Sequence, residues 1–393
     1  MKYLRTASTR RLLATIAGVL AVIAAGTAIA VASSGSGPKP APESLARAVH
    51  GALTAPNVQG VSARISFTNN LIGSTNLQGT GADPILSGAT GRLWISNDGQ
   101  MRLELQSDNG EDAQVLVSNN SFWIYDPASN TQYRGTLPQD HKSKSGSDKV
   151  PSVTQIQQRI SDVVKHANLS GAIPSDVAGQ AAYTVRVSPK HDGGLLGSAQ
   201  LAFDAARGVP LKFAIFARGQ SKPVIELKAT DVSYGQVPAS VFNVSPPPGA
   251  KVVTVNLPSG AAKAGRVHGR AHRDVTGAAA VAKKVPFGLK APKKLVGLPR
   301  QSVSLIDMSG TRAALVTYGQ NLGGIAVIEQ AAEPQASSGA NRGGLPSVTI
   351  NGATGHELDT ALGSVVQFTR GGVDYTVLGS VPAAAADAAA RAL

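Results

Sequence analysis

Closely spaced strand patterns between Gly91 and Leu137 constrain the fold of this chain more than any other feature. Short runs of β-branched, aromatic and aliphatic residues alternate there with Asn-Asp-Gly, Asp-Asn-Gly and Ser-Asn-Asn-Ser, which are typical of hairpin turns. Trp94 and Trp123, the two tryptophans of the chain, lie inside two of these runs. Because the connections are short, successive strands are expected to pair in antiparallel fashion. The stretch predicts a meander that offers large apolar side chains and no acid, base or thiol set for chemistry.

The composition excludes several classes of protein. The 393 residues contain no cysteine, which rules out disulfides, thiolate metal sites and a cysteine nucleophile. The net charge of +13 would on its own suggest nucleic-acid binding. Much of that charge, however, lies before residue 12 or in the segment 263–294, where Asp274 is the single acid. Since the charge is confined in this way, no nucleic acid is expected among the partners.

The N-terminus has the pattern of an export signal. A basic segment ending at Arg11 leads into a run of small and apolar residues about as long as a membrane span. An Ala-Val-Ala sequence before Ser33 has the form that signal peptidase accepts. Residues 1–32 are therefore expected to be a cleaved signal peptide or, alternatively, an N-terminal membrane anchor, and 33–42 a tether. Either way, the protein is expected to be extracytoplasmic, secreted or tethered to the cell membrane.

The residues from 43 to 254 combine two helix patterns with about ten strand patterns. Helices are predicted over 43–54, where apolar residues recur every four positions, and over 152–166, where Ser152 can cap the first turn. Strands are predicted at 59–67, 90–96, 100–106, 113–118, 121–126, 131–136, 181–188, 198–205, 211–217 and 223–234. Helices are too few for a parallel α/β sheet, so the fold class is α+β with a long antiparallel sheet.

A basic segment that contains Ala, Gly and Pro divides the chain. We predict a linker over 255–294, after a Pro-Pro-Pro-Gly sequence, and a small α+β C-terminal domain over 295–393. Strand patterns of this domain lie at 302–308, 312–318, 323–330, 347–350, 363–369 and 373–378. Gly371-Gly372 is expected to turn the last pair of strands. Residues 382–393 are almost all alanine and predict a closing helix, since alanine has the highest helix propensity.

Several phrases of the first domain resemble the LolA-like family, the secreted carriers of lipoproteins and lipids. These phrases are GRLWIS, AQVLVSNNSFWIYDPASNTQY, RGVPLKF and VFNVSPPPGAKV, and they occur in the family's order over residues 43–254. The resemblance implies a strongly bent, incomplete antiparallel β-barrel covered by helices, with an acyl chain in the gap between them. The region 295–393 resembles a small domain of unknown function that often trails LolA-like domains.

The resemblance implies an extracytoplasmic lipid- or lipoprotein-binding protein that holds acyl chains in a hydrophobic concavity. Alternatively, it implies a sensor similar to RseB, which would bind the extracytoplasmic domain of an anti-sigma factor and regulate an envelope stress response. The two-domain layout favours the sensor over a simple shuttle. In the lipoprotein carrier an arginine just after the tryptophan-bearing strand helps to hold the lid shut, whereas this chain has Asn97 and Asp98 there. That departure weakens the shuttle interpretation and leaves lipid binding as the general expectation.

The predicted lipid contacts are large apolar residues of the strands and of the helix at 152–166. They are Phe67, Trp94, Leu105, Trp123, Ile156, Ile160, Phe213 and Phe216. Alternation alone does not tell which face of the sheet is inward: Trp94 competes with Leu93, and Trp123 with Phe122. For each residue taken singly, core packing is the commoner role of an apolar strand residue.

Two segments have two interpretations each. The helix at 152–166 is either a lid hinged at the polar loop 137–151 or an ordinary covering helix. The basic linker is either a solvated tether or a segment that docks on anionic lipid headgroups. The expected partners are lipid or lipoprotein acyl chains, the membrane surface and, in the alternative, an anti-sigma factor.

The sequence contains no motif of catalysis or cofactor binding. It lacks His-Glu-x-x-His, Gly-x-Ser-x-Gly and a Walker loop. Of the seven histidines, only His268 and His272 have the spacing of helical metal ligands, and they lie in an arginine-rich segment. We expect a protein that is not an enzyme and that holds no cofactor or metal.

Overall fold

Two β-sheets dominate the part of the chain that the structure, a computed structural model, describes. That part comprises residues 37–72, 84–106, 112–118, 121–136, 152–191, 193–255, 275–308, 311–332 and 346–393. The predicted signal or anchor, the loop 137–151 and residues 256–274 of the predicted linker lie outside it. Among the helices of these ranges, none is long and apolar enough to cross a membrane.

The first sheet has thirteen strands. They are β1 (Gly60–Asn69), β2 (Ala89–Ser96), β3 (Met101–Gln106), β4 (Ala113–Ser118), β5 (Ser121–Asp126), β6 (Thr131–Thr136), β7 (Ala167–Leu169), β8 (Ile173–Val177), β9 (Gln180–Pro189), β10 (Leu196–Asp204), β11 (Pro210–Ala217), β12 (Ile225–Tyr234) and β13 (Lys251–Thr254). The order in the sheet is β13-β6-β5-β4-β3-β2-β1-β12-β11-β10-β9-β7, and β8 also pairs with β9. The antiparallel meander predicted around the two tryptophans is confirmed.

The first sheet is strongly bent and remains open, as the fold-class prediction requires. β8 contacts β12 although β9, β10 and β11 separate the two strands, because the sheet curls back at this end. The strand register shifts between Arg64 and Ile65 and again between Ala202 and Phe203. Such β-bulges increase the local bend and twist of a sheet.

Three helices of the described residues lie on the first sheet: α1 (Leu45–Thr54), α2 (Pro84–Ser87) and α3 (Val153–Val164). The predicted cap of α3 is confirmed, since the Ser152 hydroxyl accepts the Gln155 N–H and the Gln155 side chain accepts the Ser152 N–H. Helices α1 and α3 pack against each other, and α3 also contacts β7. Together they cover the end of the sheet formed by β7, β9 and β10.

A strap, residues 235–250, crosses the sheet from the end of β12 to the far edge. It contains a 3₁₀ helix (Ala239–Phe242) and leads into β13, which pairs in parallel with β6. The strands β1 to β6 lie between β12, where the strap begins, and β13, where it ends. The sequence predicted no strand of this domain after 223–234 and therefore missed β13, because the Pro-rich sequence is a long crossover that places one more strand at the edge.

The second sheet has eight strands. They are β14 (Lys294–Leu295), β15 (Leu298–Met308), β16 (Thr311–Tyr318), β17 (Ile325–Ala331), β18 (Ser347–Ile350), β19 (Ala353–Thr360), β20 (Gly363–Arg370) and β21 (Val373–Gly379), in the order β14-β15-β16-β17-β21-β20-β19-β18. The turn at Gly371-Gly372 is confirmed, and both glycines have positive φ angles, of 59° and 74°. The predicted closing helix is α5 (Ala383–Arg391), after α4 (Ala278–Ala282), and it buries three alanines against this sheet.

Residues 275–294, which the sequence assigns to the linker, pack on the second sheet. Thr276 forms a β-bridge with Ser304, and Val281 and Val285 are buried in the core of that sheet. The lysines of this segment, such as Lys283, are exposed. The basic residues of this segment therefore lie on its solvent-exposed side, whereas its valines face the core. We call residues 275–393 the second unit.

Candidate functional site

The strand register assigns every side chain of the first sheet to one of two faces, because directly opposite residues of antiparallel strands point to the same side. One line of opposite residues runs through Ala63, Leu93, Leu103, Val115, Ile124 and Tyr133. The neighbouring line runs through Ser62, Trp94, Arg102, Leu116, Trp123 and Arg134. We call the first side the apolar face and the second the tryptophan face.

The apolar face continues across the other half of the sheet. A further line of opposite residues runs through Phe67, Leu227, Phe213, Leu201 and Val185. Apolar side chains thus follow one face from β6 to β9 without an ionised group on these lines. Such a face is unfavourable in water by about 25 cal/mol for each Å² of apolar surface.

Helices cover two separate parts of the apolar face. At the β9–β10 end, Ile156 of α3 is buried together with Val185 and Leu201. Near β1 to β3, Ile85 of α2 packs against the cluster that contains Leu105. Between these two parts lies a strip of half-buried residues, which we call the apolar strip. Its members are Phe213, Ile215 and Ile225.

The structure divides the predicted lipid contacts between the two faces. Phe67, Leu105 and Phe213 lie on the apolar face. Ile156 and Ile160 of α3 join the cluster that covers the β9–β10 end of the same face. Five of the eight predicted residues are therefore on one side of the sheet, although the helix pair and the strand residues belong to different clusters.

The other three predicted residues, Trp94, Trp123 and Phe216, lie on the opposite side of the sheet, the tryptophan face. Phe216 is opposite Ser198, and the Arg186 guanidinium lies 5.8 Å from the centre of its ring. The sequence did not decide between Leu93 and Trp94, or between Phe122 and Trp123. In both pairs the tryptophan is on the tryptophan face, and Leu93 and Phe122 are on the apolar face.

The two tryptophans hold the strap. Both pack against a buried cluster formed by Leu116 of β4 and by Val237 and Phe242 of the strap. The Arg102 guanidinium lies 5.3 Å from the Trp94 ring centre, donates to the Val241 carbonyl at 3.2 Å and pairs with Glu104 at 3.0 Å. The tryptophan face thus holds the strap in place on its way to β13. This packing explains why two large aromatic side chains lie on this face, and the explanation does not require a ligand.

One signal in the sequence could have separated the faces. Arg92, Arg102 and Glu104 alternate along β2 and β3 with Leu93, Leu103 and Leu105. Because charged side chains stay on the less apolar side of a half-buried strand, these charges mark the side that carries Trp94. Leu93 and Phe122, which the sequence left as alternatives to the two tryptophans, lie on the apolar face. Residues of this face that the prediction missed include Ile124, Ile215 and Leu227.

Helix α3 is held by a small part of its apolar stripe. Ile156 is 5% exposed, whereas Val153 and Val164 of the same predicted stripe are 38% and 40% exposed. Ile160 and Val163 are half-buried. A helix with so little buried apolar area costs correspondingly little to displace.

A polar cavity of about 290 Å³ opens at the rim of the sheet, between the β2–β3 turn and the strap. Its lining includes Gln59, Asn97, Gln236 and Phe242. Hydrogen bonds from the Ser96 hydroxyl and then from Gln100 lower the pKa of Asp98, which also lines the cavity, so this carboxylate is ionised. Asn97 and Asp98, which stand where the LolA-like pattern has an arginine, thus line the rim of this cavity. The arginine beside Trp94 is Arg102, on the next strand.

Among the described residues, no three His, Asp or Glu side chains converge as metal ligands. His268 and His272, the pair with metal-ligand spacing, lie outside them.

Similar folds occur among solved structures. No protein-family model and no curated protein sequence matches the chain. The MucA/MucB complex of Pseudomonas aeruginosa matches with 18% identity and a TM-score of 0.39, over 88% of this chain and 94% of that chain. A LolA superfamily protein of Nitrosomonas europaea matches with 10% identity and a TM-score of 0.21, over 51% of this chain and 98% of that chain. An uncharacterized conserved protein of Thermus thermophilus matches with 12% identity and a TM-score of 0.32, over 54% and 97%. All three matches have TM-scores below 0.5 and sequence identities below 20%.

Proposed function

We propose that this chain is an extracytoplasmic lipid- or lipoprotein-binding protein that holds acyl chains on the apolar face of its first sheet. The observation that carries this proposal is the apolar strip, whose side chains are half-buried between two helix-covered parts of one face. Residues 43–254 would form the binding domain. The N-terminal segment would deliver it across the cell membrane and either leave it free or keep it tethered.

The energetics of such a site need no directional contact. Each methylene that leaves water contributes about 0.8 kcal/mol, so a chain of a dozen or more carbons gives ample affinity. Hydrogen bonds to a headgroup would contribute selectivity among lipids, whereas most of the affinity would come from burial of the acyl chain. No step of this function involves bond chemistry, so we assign the protein no enzymatic activity.

Helix α3 would serve as the movable cover. It contributes Ile156 to the cluster over β9 and β10 and exposes much of its remaining stripe. An acyl chain that enters beneath it replaces contacts of Ile156 and Ile160 with contacts of its own. Displacing α3 from the sheet then costs little free energy, because the acyl chain covers the apolar surface that the helix leaves.

A pair of neighbouring residues on β5 tests which face binds lipid. Phe122 and Trp123 are both half-buried aromatics, on the apolar face and the tryptophan face respectively. Phe122→Ala should weaken the binding of cis-parinaric acid, a fluorescent fatty acid, about tenfold, which corresponds to about 1.4 kcal/mol of lost contact. Trp123→Ala should keep the affinity of the unmodified protein. Fluorescence titration at equal folded fraction, checked by circular dichroism, measures both.

Equal affinity in both variants, or a loss confined to Trp123→Ala, would remove the apolar face as the site. Native mass spectrometry of the protein from its host membrane fraction gives a second readout. Stoichiometric acyl lipid is expected on the protein, and an empty protein that also fails to pass lipid between vesicles would contradict the proposal.

The alternative function is a sensor that binds the extracytoplasmic domain of an anti-sigma factor. The observation in its favour is that the second unit contacts the first sheet directly, at Leu71 and Leu195, which gives a lipid-dependent signal a route to a second surface. Cross-linking in the host envelope should then capture a membrane-anchored anti-sigma factor. A chain that yields lipid and no protein partner supports the carrier.

A further inference from the structure

The second unit forms hydrogen bonds with two loops of the first sheet. The Leu195 N–H lies 3.0 Å from both the carbonyl oxygen and the hydroxyl of Ser380. The Ala361 N–H donates to the Leu71 carbonyl at 2.9 Å. Leu195 precedes β10 and Leu71 follows β1, so both loops belong to the first sheet, whereas Ser380 and Ala361 follow β21 and β19 of the second.

The two gripping residues are parts of one rigid cluster. The Ser380 hydroxyl donates to the Leu362 carbonyl at 2.7 Å, which joins the end of β21 to the β19–β20 turn. In that turn the Thr360 hydroxyl donates to the Gly363 carbonyl at 2.6 Å and accepts the Gly363 N–H at 3.1 Å. Leu71 and Leu195 are therefore held at a fixed separation by a single piece of the second unit.

The strands between the two gripped loops carry the apolar strip. β11 and β12 separate β10 from β1 in the sheet. Phe213 and Ile215 lie on β11, and Ile225 begins β12. The Leu195 carbonyl also accepts the Arg218 N–H at 2.7 Å, just after β11 ends, so the grip extends to this strand. Any spreading of the sheet across the apolar strip must separate Leu71 from Leu195.

Gly194 is fitted to this contact. Its φ angle is +60°, and a Cβ atom placed there would lie 2.1 Å from the Ser380 carbonyl oxygen and 2.7 Å from its Cβ. Real Cβ atoms do not approach so closely, and the neighbour is backbone that cannot rotate away. A methyl group at residue 194 therefore forces the second unit off the loop.

We infer that the second unit is a clasp that controls how far the sheet opens across the apolar strip, so that clasp release and acyl-chain binding favour each other. The inference rests on the proposed function of the apolar face. Thermodynamic linkage makes the coupling mutual: a released clasp raises the affinity for an acyl chain, and a bound acyl chain loosens the clasp by the same factor.

Gly194→Ala tests the clasp, with Gly219→Ala as its matched control. Gly219 also has a positive φ angle, +74°, and lies in a turn of the same sheet, but a Cβ there would have no atom within 4 Å. Both variants place alanine at a positive φ angle, and only Gly194→Ala adds the clash with Ser380. We expect Gly194→Ala to bind cis-parinaric acid about fivefold more tightly than Gly219→Ala, at the lower end of common coupling strengths. In the unmodified protein, the probe should also speed hydrogen exchange of the Leu195 amide.

The outcomes separate the clasp from the proposed function. If the unmodified protein binds the probe and the two variants bind it equally, the clasp is overturned and the lipid site stands. If the unmodified protein does not bind the probe, the proposed function fails and the clasp fails with it. Should Gly194→Ala not fold, Ser380→Ala removes one of the two oxygens that face the Leu195 N–H, and it should shift the affinity in the same direction. An affinity that does not change in Ser380→Ala overturns the clasp.

Discussion

Glu329 is a fully buried ionisable side chain of the second unit. It is 0% exposed, and one carboxyl oxygen accepts the Lys290 N–H at 2.8 Å, while the other has no hydrogen-bond partner among the residues that the structure describes. Burial is the largest cause that raises its pKa, to about 7, against a smaller opposing effect of the Lys290 N–H. Burial raises the pKa values of Tyr318 and Tyr375 most, and the charge of the nearby Glu329 raises them further.

Glu329 should make the second unit less stable as the pH rises. Its folded-state pKa of about 7 exceeds the usual 4.5, so between these values the folded state binds more protons than the unfolded state. The free energy of unfolding should therefore be highest below pH 4.5 and fall by up to about 3 kcal/mol as the pH reaches about 7. Glu329→Gln should lack this fall.

Chemical denaturation of the unmodified protein and of Glu329→Gln across this pH range measures the difference. The other acids titrate alike in both proteins, so the difference isolates residue 329. Two proteins whose stabilities change in parallel from pH 4.5 to 7 would contradict the assignment.

At the scale of single residues, the sequence predicted what depends on local chemistry and missed what depends on neighbours. The cap at Ser152 follows from hydroxyl chemistry and a glutamine three residues later, and it is confirmed. The direction of Trp94 was missed, because Leu93, Trp94 and Ile95 are consecutive apolar residues and only the charge of Arg92 indicates, within β2, which side is polar. The register with Arg102 and Glu104 on the next strand decides its face.

Among the elements, α3 combines a strong start with weak attachment. Its first turn has a complete capping box, yet Ile156 is its single buried residue. An isolated helix of twelve residues is only marginally stable in water, so the capping box helps α3 to keep its first turn when it leaves the sheet. The capping box therefore stabilises the helix itself, whereas the packing of Ile156 holds the helix on the sheet.

Ser152→Ala should destabilise α3 without moving its docked position. Loss of an N-cap hydroxyl typically costs about 1 kcal/mol, so hydrogen exchange over the first turn should become about fivefold faster. Ser161→Ala is the control, since Ser161 is exposed within the same helix and alanine has the higher helix propensity. It should leave exchange unchanged or slower. Equal acceleration in both variants would show that the capping box is not what holds the first turn.

The elements that the sequence missed share a cause. β19 has the sequence ATGHELDT, which contains few β-formers, and it forms because β18 and β20 pair with it on both sides. β13 follows a proline-rich crossover and pairs in parallel with a strand far back in the chain. Pairing partners supply the stability in both cases, and a single segment does not reveal its partners.

For the whole molecule, the boundary between the two units is a matter of packing rather than of composition. The segment 275–294 was assigned to the linker because lysine, alanine and proline are frequent in it. Its valines nevertheless complete the core of the second sheet, with Val281 fully buried. The order of the two domains could be predicted from the sequence, whereas the position at which the second one begins could not.

A fragment beginning at Val275 should fold, and one beginning at Leu295 should not. The shorter fragment lacks Val281 and Val285 and removes the Lys290 N–H from the buried Glu329. Uncovering this much core costs several kcal/mol, comparable with the whole stability of a small domain. Thermal unfolding followed by circular dichroism should show a cooperative transition for the longer fragment alone. A cooperative transition of similar midpoint in the shorter one would restore the boundary at residue 295.

The central place of β1 has a consequence for how the protein reaches its site of action. β1 pairs with β2, which follows it closely, and with β12, so that Val61 is opposite both Ile95 and Tyr234. For a chain that leaves the cytoplasm N-terminus first, β1 emerges long before its second partner. One edge of β1 must remain without a partner until Tyr234 has also crossed, and such long-range pairing is slow and leaves an edge open to other chains. If the chain is exported, as the proposed function requires, the first sheet cannot be complete until β12 has crossed the membrane, and any factor that prevents aggregation of the emerging chain must act until then.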